Sequence, residues 1–323
     1  MKKISIVVPC YNEEKMIELF YQELMKTISE FENDYNYEII FVDDGSKDKT
    51  LQKLRQIKKQ NNNIRIISFS RNFGKESAIY AGLSNSEGDY VVLMDADLQH
   101  PPQTIIEMLK EINNGYDVVA TKRKNRKGEP LIKRLFSKMF YKIMKHFIPI
   151  EQGVQDFRLM KREVVDSILS LEEYNRFSKG IFSWVGFKTK YITIENIKRP
   201  IGKTKWSFGK LFSYAIEGIV SFTTAPLRIS TIIGTLISVL SIVFACVIVI
   251  QTLAYGKDVP GYASTITTIL FIGGIQLLSI GILSENISKI YLEIKNRPKY
   301  IIKKEEDEWE RFVRNIRSKY KNF

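Results

Sequence analysis

Two stretches near the C-terminus carry no charged side chain: Ile229 to Gly256, and Val259 to Ser284, with only Lys257 and Asp258 between them. An uncharged apolar run longer than about 20 residues is long enough, once helical, to cross the hydrocarbon of a bilayer. Two such runs rarely sit side by side in a soluble core. The sequence therefore predicts membrane-spanning helices over 229–253 and 262–284, joined by a short loop. Lys203, Lys205, Lys210 and Arg228 precede the pair and Lys289, Lys295, Arg297 and Lys299 follow it, while Lys257 is the only basic residue of the loop. Positive flanks stay on the cytosolic side, so both termini are expected in the cytosol of a cell with a two-span, multi-pass membrane protein.

The remaining chain, residues 1–226, is large enough for one sizeable domain. Its first apolar run, Ile4 to Val8, is too short for a signal peptide and reads as a buried strand. A formal net charge of +13 demands anionic partners, whether lipid, phosphorylated substrate or nucleic acid. No recognition module is visible and the basic residues gather beside the apolar segments, which argues against nucleic acid. With Cys10 and Cys246 as the only cysteines, no disulfide framework can be read and a reducing setting fits. Two stretches alternate apolar with basic or aromatic residues, about 131–147 and 208–222, and are expected to lie as helices in the membrane interface. Residues 285–323 form a cytosolic tail whose last part is highly charged.

Strands are expected at Ile4–Val8, Glu38–Val42, Ile64–Ser68, Tyr90–Met94 and Asp117–Ala120, with helices over Glu14–Phe31 and Lys49–Gln60. The alternation predicts an α/β domain with a mostly parallel, Rossmann-like sheet, in which ligands bind beyond the carboxyl ends of the strands. Polar motifs fall at those ends. Pro9, Tyr11, Asn12 and Glu13 close the first strand, Asp43 and Asp44 the second, and Asp95, Ala96, Asp97 and Gln99 the fourth. Two carboxylates one residue apart suit a hard divalent cation, Mg2+ or Mn2+, that also holds a diphosphate. No G-x-G-x-x-G follows the first strand, and neither a P-loop nor a Cys/His metal spacing occurs, which removes the main support for dinucleotide oxidoreductase and zinc chemistry.

The segments VVPCYNEE, DDGSKDKT, RNFGKESAIYAGL and MDADLQHPP together resemble the nucleotide-sugar domain of glycosyltransferase family 2, a GT-A type fold. DFRLMKREVV, RFSKGIFSWVGF, RPIGKTKWSFGKL and KIYLEIKNRPKYII resemble its polyprenyl-phosphate branch, the enzymes that make undecaprenyl- or dolichyl-phosphate sugars. The resemblance implies that Pro9, Tyr11, Asn12, Glu13, Asp43, Asp44 and the Asp95–Ala96–Asp97 run bind a nucleotide sugar, UDP-linked, and that Asp95, Asp97 and Gln99 hold the metal. Asp156 becomes the carboxylate beside the reacting centre, although Gln155 stands where the family more often has Gly. Arg123, Arg134, Ser137, Arg158, Arg176 and Lys205 are the candidates for the acceptor phosphate. His100 carries little weight and reads as a loop residue. The implied reaction is inverting transfer of glucose or N-acetylglucosamine to undecaprenyl phosphate for use in the cell envelope. A processive polysaccharide synthase is disfavoured by the missing Q-x-x-R-W motif and the small number of spans; a catalytically silent membrane anchor is disfavoured by the full set of acidic motifs. Two spans also permit assembly into a homo-oligomer.

Overall fold

The computed structural model describes residues 1–123, 151, 153–194, 225–255 and 261–303. The expected interfacial helices, the tail beyond Lys303, and Arg134, Ser137 and Lys205 lie outside the described residues. The chain forms two compact units, Met1–Phe208 with Pro298–Phe323, and Gly209–Arg297.

The first unit is built on β1 (Lys2–Cys10), α1 (Ile17–Ile28), β2 (Tyr35–Asp43), α2 (Thr50–Gln60), β3 (Ile64–Ser68), α3 (Lys75–Ser84), β4 (Tyr90–Leu93), α4 (Thr104–Asn113), β5 (Val118–Arg123), β6 (Val154–Lys161), α5 (Arg162–Leu169), α6 (Ser178–Trp184) and β7 (Thr189–Ile194). All five expected strands form. They join β6 and β7 in one seven-stranded sheet of order β3-β2-β1-β4-β6-β5-β7. Only β6 runs antiparallel to its neighbours β4 and β5; the other pairings are parallel. The alternating motif pattern identified five of the six strands that run parallel and missed β7. It also missed β6, VQDFRLMK, whose charged residues interrupt the apolar run and which follows a long connection.

Side-chain alternation explains the two layers. Ile4, Ile6, Val8 and Cys10 of β1 face a core shared with Ile17, Phe20 and Leu24 of α1 and Ile105, Met108 and Leu109 of α4. Ile40 and Val42 of β2 face the other way, against Ala78 and Ala81 of α3. Strands covered on both faces read as continuous apolar runs, as these do. At Gly82 of α3 an added Cβ would stand 2.1 Å from Val7 Cγ1, so the absent side chain is what allows α3 to lie so close to β1.

The outer edge of β3 is covered by the chain itself. Ser70 N–H donates to Ile301 O at 2.9 Å and Lys303 N–H to Ser68 O at 2.7 Å, and Phe69 and Ile302 form an antiparallel bridge. Tyr300 stacks on Phe69 with ring centroids 4.9 Å apart. An open strand edge is a template for unwanted pairing, and this short return segment removes it.

The second unit contains α7 (Ala225–Tyr255) and α8 (Tyr262–Ile294). Windows at Ser230–Ile248 and Phe271–Ile294, of mean hydropathy 2.6 and 1.3, are long and apolar enough to cross a membrane, and neither is buried within the chain. Leu236, Phe244, Leu253 and Leu277 are among the large apolar side chains left exposed.

Gly45, at the turn after β2, has φ +64 and an added Cβ would lie 2.4 Å from the Arg71 carbonyl carbon. Gly45→Ala is expected to destabilise the first unit by roughly 2 kcal/mol or more, because both the left-handed backbone and the collision must be relieved. An unchanged thermal midpoint in detergent micelles would contradict this.

Candidate active site

The strand order changes direction between β1 and β4, since β2 follows β1 on one side and β4 returns on the other. Such a switch point opens a crevice beyond the carboxyl ends of the strands. The loops after β1, β2 and β4 border it. Asn12 takes φ +52, its N–H donates to Ser46 Oγ at 2.9 Å, and its Oδ1 accepts from Lys47 N–H at 2.8 Å. Glu13 N–H donates to Thr50 Oγ1 at 2.8 Å. Asn12 and Glu13 are thereby tied to the segment that follows Asp43.

The two acids of that turn differ in use. Asp43 is buried and accepts from Ser46 N–H at 3.2 Å and Ser68 Oγ at 2.9 Å. Asp44 accepts from Asn72 Nδ2 at 2.8 Å, Phe73 N–H at 2.7 Å and Gly74 N–H at 3.0 Å. Asp44 is therefore spent on shaping the loop that enters α3. Burial pushes its carboxyl up to about 6, with the Phe73 and Gly74 donors pulling the other way.

Register builds the centre of the site. The β4–β6 ladder pairs Tyr90 with Lys161 and Leu93 with Arg158. Asp95 follows two residues past the end of β4 and Asp156 lies near the start of β6, so the antiparallel pairing brings both carboxylates to the same end of the two strands. Like charges brought close repel. Lys75, the first residue of α3, resolves the conflict: its Nζ lies 2.8 Å from Asp95 Oδ1 and 2.6 Å from Asp156 Oδ2. Burial opposes ionisation of Asp156, but Lys75, Lys179 and Arg158 outweigh it and hold the carboxyl well below the usual range. The same two carboxylates, working against burial, hold the Lys75 ammonium above the ordinary lysine value. Lys75 sits in the quoted RNFGKESAIYAGL motif, yet local pattern assigned it no role, because its partners lie 20 and 81 residues away.

Of the arginines proposed for an acceptor phosphate, Arg123 ends β5 and bonds its N–H to Gly153 O at 3.0 Å, beside the start of β6. Arg158 is buried, donates to Asp156 O at 3.2 Å and Gln155 O at 2.9 Å, and lies 3.6 Å over the Phe182 ring. Burial lowers its pKa to about 10. Arg176 donates to the backbone oxygens of Leu171 and Ile168, closing the end of α5. Both guanidinium groups thus hold backbone as well as charge. Glu76, beside Lys75, accepts from Ser178 N–H at 3.0 Å and from Ser178 Oγ, pinning α3 to α6. His100 lies in a loop, as expected, but is buried there, stacked 5.9 Å from Phe157. The pair links the segment after Asp97 to the strand bearing Asp156.

Asp97 Oδ1 accepts from Gln99 N–H at 3.1 Å, and Leu98 between them has φ +53, a tight turn that keeps Asp95, Asp97 and Gln99 in one short loop. Among the described residues no three His, Cys, Asp or Glu side chains converge as a ready metal cage. The donor set fits an ion held by one or two carboxylates and completed by substrate phosphates, the usual habit of Mg2+. That a cationic ammonium already occupies Asp95 supports the fit.

The glycosyl transferase family 2 model matches residues 5–169. The chain belongs to glycosyltransferase family 2. A separate model, the GtrB C-terminal hairpin, matches residues 225–290, which cover α7 and most of α8. The SfII prophage-derived bactoprenol glucosyl transferase of Shigella flexneri is 44% identical over 94% of this chain and 98% of its own. The prophage bactoprenol glucosyl transferase homolog of Escherichia coli K12 is 42% identical over 94% and 99%. The uncharacterized glycosyltransferase sll0501 of Synechocystis is 43% identical over 93% and 94%. The chain is thus a transferase of this family, and the α/β, GT-A type domain anticipated from its motifs is the fold observed.

Asp44 offers a test of the loop in this family 2 domain. A carboxyl whose pKa rises on folding is protonated in the native state at pH values where the unfolded chain has released its proton. Stability of the wild type should therefore decline, relative to Asp44→Asn, as pH climbs from 3.8 to about 6, the window between its unfolded and folded values. Thermal midpoints of the two proteins that run parallel across that window would refute the assignment.

Proposed function

We propose that this chain is an inverting glycosyltransferase that moves glucose from UDP-glucose to undecaprenyl phosphate on the cytosolic face of a membrane. The observation that carries the reading is the pair Asp95 and Asp156 at the switch-point crevice, one beside the Asp97–Gln99 loop and the other beside the basic end of β5. The names of the near full-length relatives favour a polyprenyl acceptor and glucose over N-acetylglucosamine. Two apolar helices long enough to cross a membrane support a lipid-borne acceptor.

In this reading the loops bearing Pro9, Tyr11, Asn12, Glu13, Asp43 and Asp44 surround the nucleoside. Asp95, Asp97 and Gln99 hold Mg2+ or Mn2+, which when bound neutralises charge on the nucleoside diphosphate. A phosphate oxygen of the lipid attacks the anomeric carbon as the carbon–oxygen bond to the nucleoside diphosphate breaks, and the electron pair leaves with that group. An α-linked donor then gives a β-linked lipid monophosphate sugar. A phosphate monoester has a second pKa of about 6 and is already ionised near neutral pH. The reaction needs no strong base, and Asp156, held ionised by Lys75, is a poor proton acceptor. Asp156 instead orients the acceptor and balances charge, with Arg123 the described arginine best placed to meet its phosphate.

Radiolabel transfer from UDP-glucose, UDP-N-acetylglucosamine, UDP-galactose and GDP-mannose into organic-extractable lipid tests this with purified protein, undecaprenyl phosphate and Mn2+ or Mg2+. Glucose is expected to be the preferred sugar, and Asp95→Asn to reduce transfer by about 100-fold or more. Asp156→Asn should lower kcat by about 10-fold to 100-fold while leaving the acid limb of the pH profile in place, because that limb belongs to the acceptor phosphate. No label from any donor in folded protein, or retained anomeric configuration by proton NMR, would defeat the reading.

A further inference from the structure

We propose that Lys75 is a resident counter-cation that occupies Asp95 and Asp156 in the nucleotide-free enzyme and withholds Asp95 from divalent metal until a nucleoside diphosphate arrives. This rests on the reading of Asp95 as a metal ligand.

Lys75 Nζ lies within 2.8 Å of Asp95 Oδ1 and 2.9 Å of Oδ2, so one ammonium faces both oxygens of the carboxylate. It also reaches Asp156 Oδ2 at 2.6 Å. A metal ion sharing those oxygens would stand a few ångströms from a full positive charge, and such pairs repel strongly in a partly dry site. The position is not a convenience of the helix. Lys75 is the first residue of α3, where the helix dipole disfavours a cation. The backbone there is fixed from several directions: Gly74 takes φ +97, Asp44 binds the Phe73 and Gly74 N–H groups, and Glu76 is tied to Ser178. The fold thus holds an unfavourably placed cation between two carboxylates.

Diphosphate oxygens would reverse the balance. They bring the negative charge that lets metal and ammonium share the site, with the ammonium remaining on Asp156 and the metal on Asp95. Metal and nucleotide then bind cooperatively, and metal alone binds weakly.

Binding of Mn2+ alone, followed by electron paramagnetic resonance of the free ion with the full-length chain in detergent, tests this with and without UDP. Lys75→Gln is expected to bind Mn2+ without UDP about 2- to 5-fold more tightly than wild type, and to gain less from added UDP. Lys75→Arg, which keeps the charge, should bind as weakly as wild type. A folding defect would weaken Mn2+ binding, so a gain cannot arise from damage; Lys75→Met serves if the Gln variant does not fold. Equal or weaker binding in the neutral variants, with wild-type binding still lost in Asp95→Asn, would overturn the role of Lys75 alone. Mn2+ binding indifferent to Asp95→Asn in every protein would overturn the metal reading and this inference with it.

Discussion

Two carboxylates cannot crowd together at one end of a pair of strands without a cation between them. The antiparallel β4–β6 pairing brings Asp95, just past β4, and Asp156, in β6, to one end of the strands, and Lys75 meets both from a third element. Much of the surrounding architecture serves to keep these three groups in place. Asp44 uses its carboxylate to fix the loop before Lys75, Glu76 anchors the start of α3 through Ser178, and His100 stacks on Phe157 next to Asp156. Acidic strand ends in a crevice are costly to assemble, and the cost is met by backbone donors and one lysine.

The mixed sheet makes the crevice possible. Parallel strands β1, β2 and β4 direct their carboxyl ends and polar loops to one side, while β6, running the other way, begins there and brings Val154, Gln155 and Asp156 to the same edge. The acidic motifs of β1, β2 and β4 therefore lie where a strand finishes, and Asp156 where one starts. Side chains such as Arg158 and Arg176, which pattern alone suggested for phosphate, are drawn into backbone carbonyls and aromatic rings. A guanidinium has enough donors to brace a loop, and when buried it must use them.

Both apolar helices and five of the six parallel strands were legible in the chain, because length without charge and β-branched runs ending in polar residues are local signals. So were the acidic motifs at the ends of β1, β2 and β4, since each is contiguous in sequence. Tertiary structure alone decided that Asp156 comes close to Asp95, that Lys75 bridges them, that Asp44 serves its own loop, and that residues Tyr300–Lys303 return to cover β3. These contacts join residues far apart in the chain through strand register and side-chain packing. A sequence states which groups it carries at each strand end; only the pairing of the strands determines which of those charges must meet.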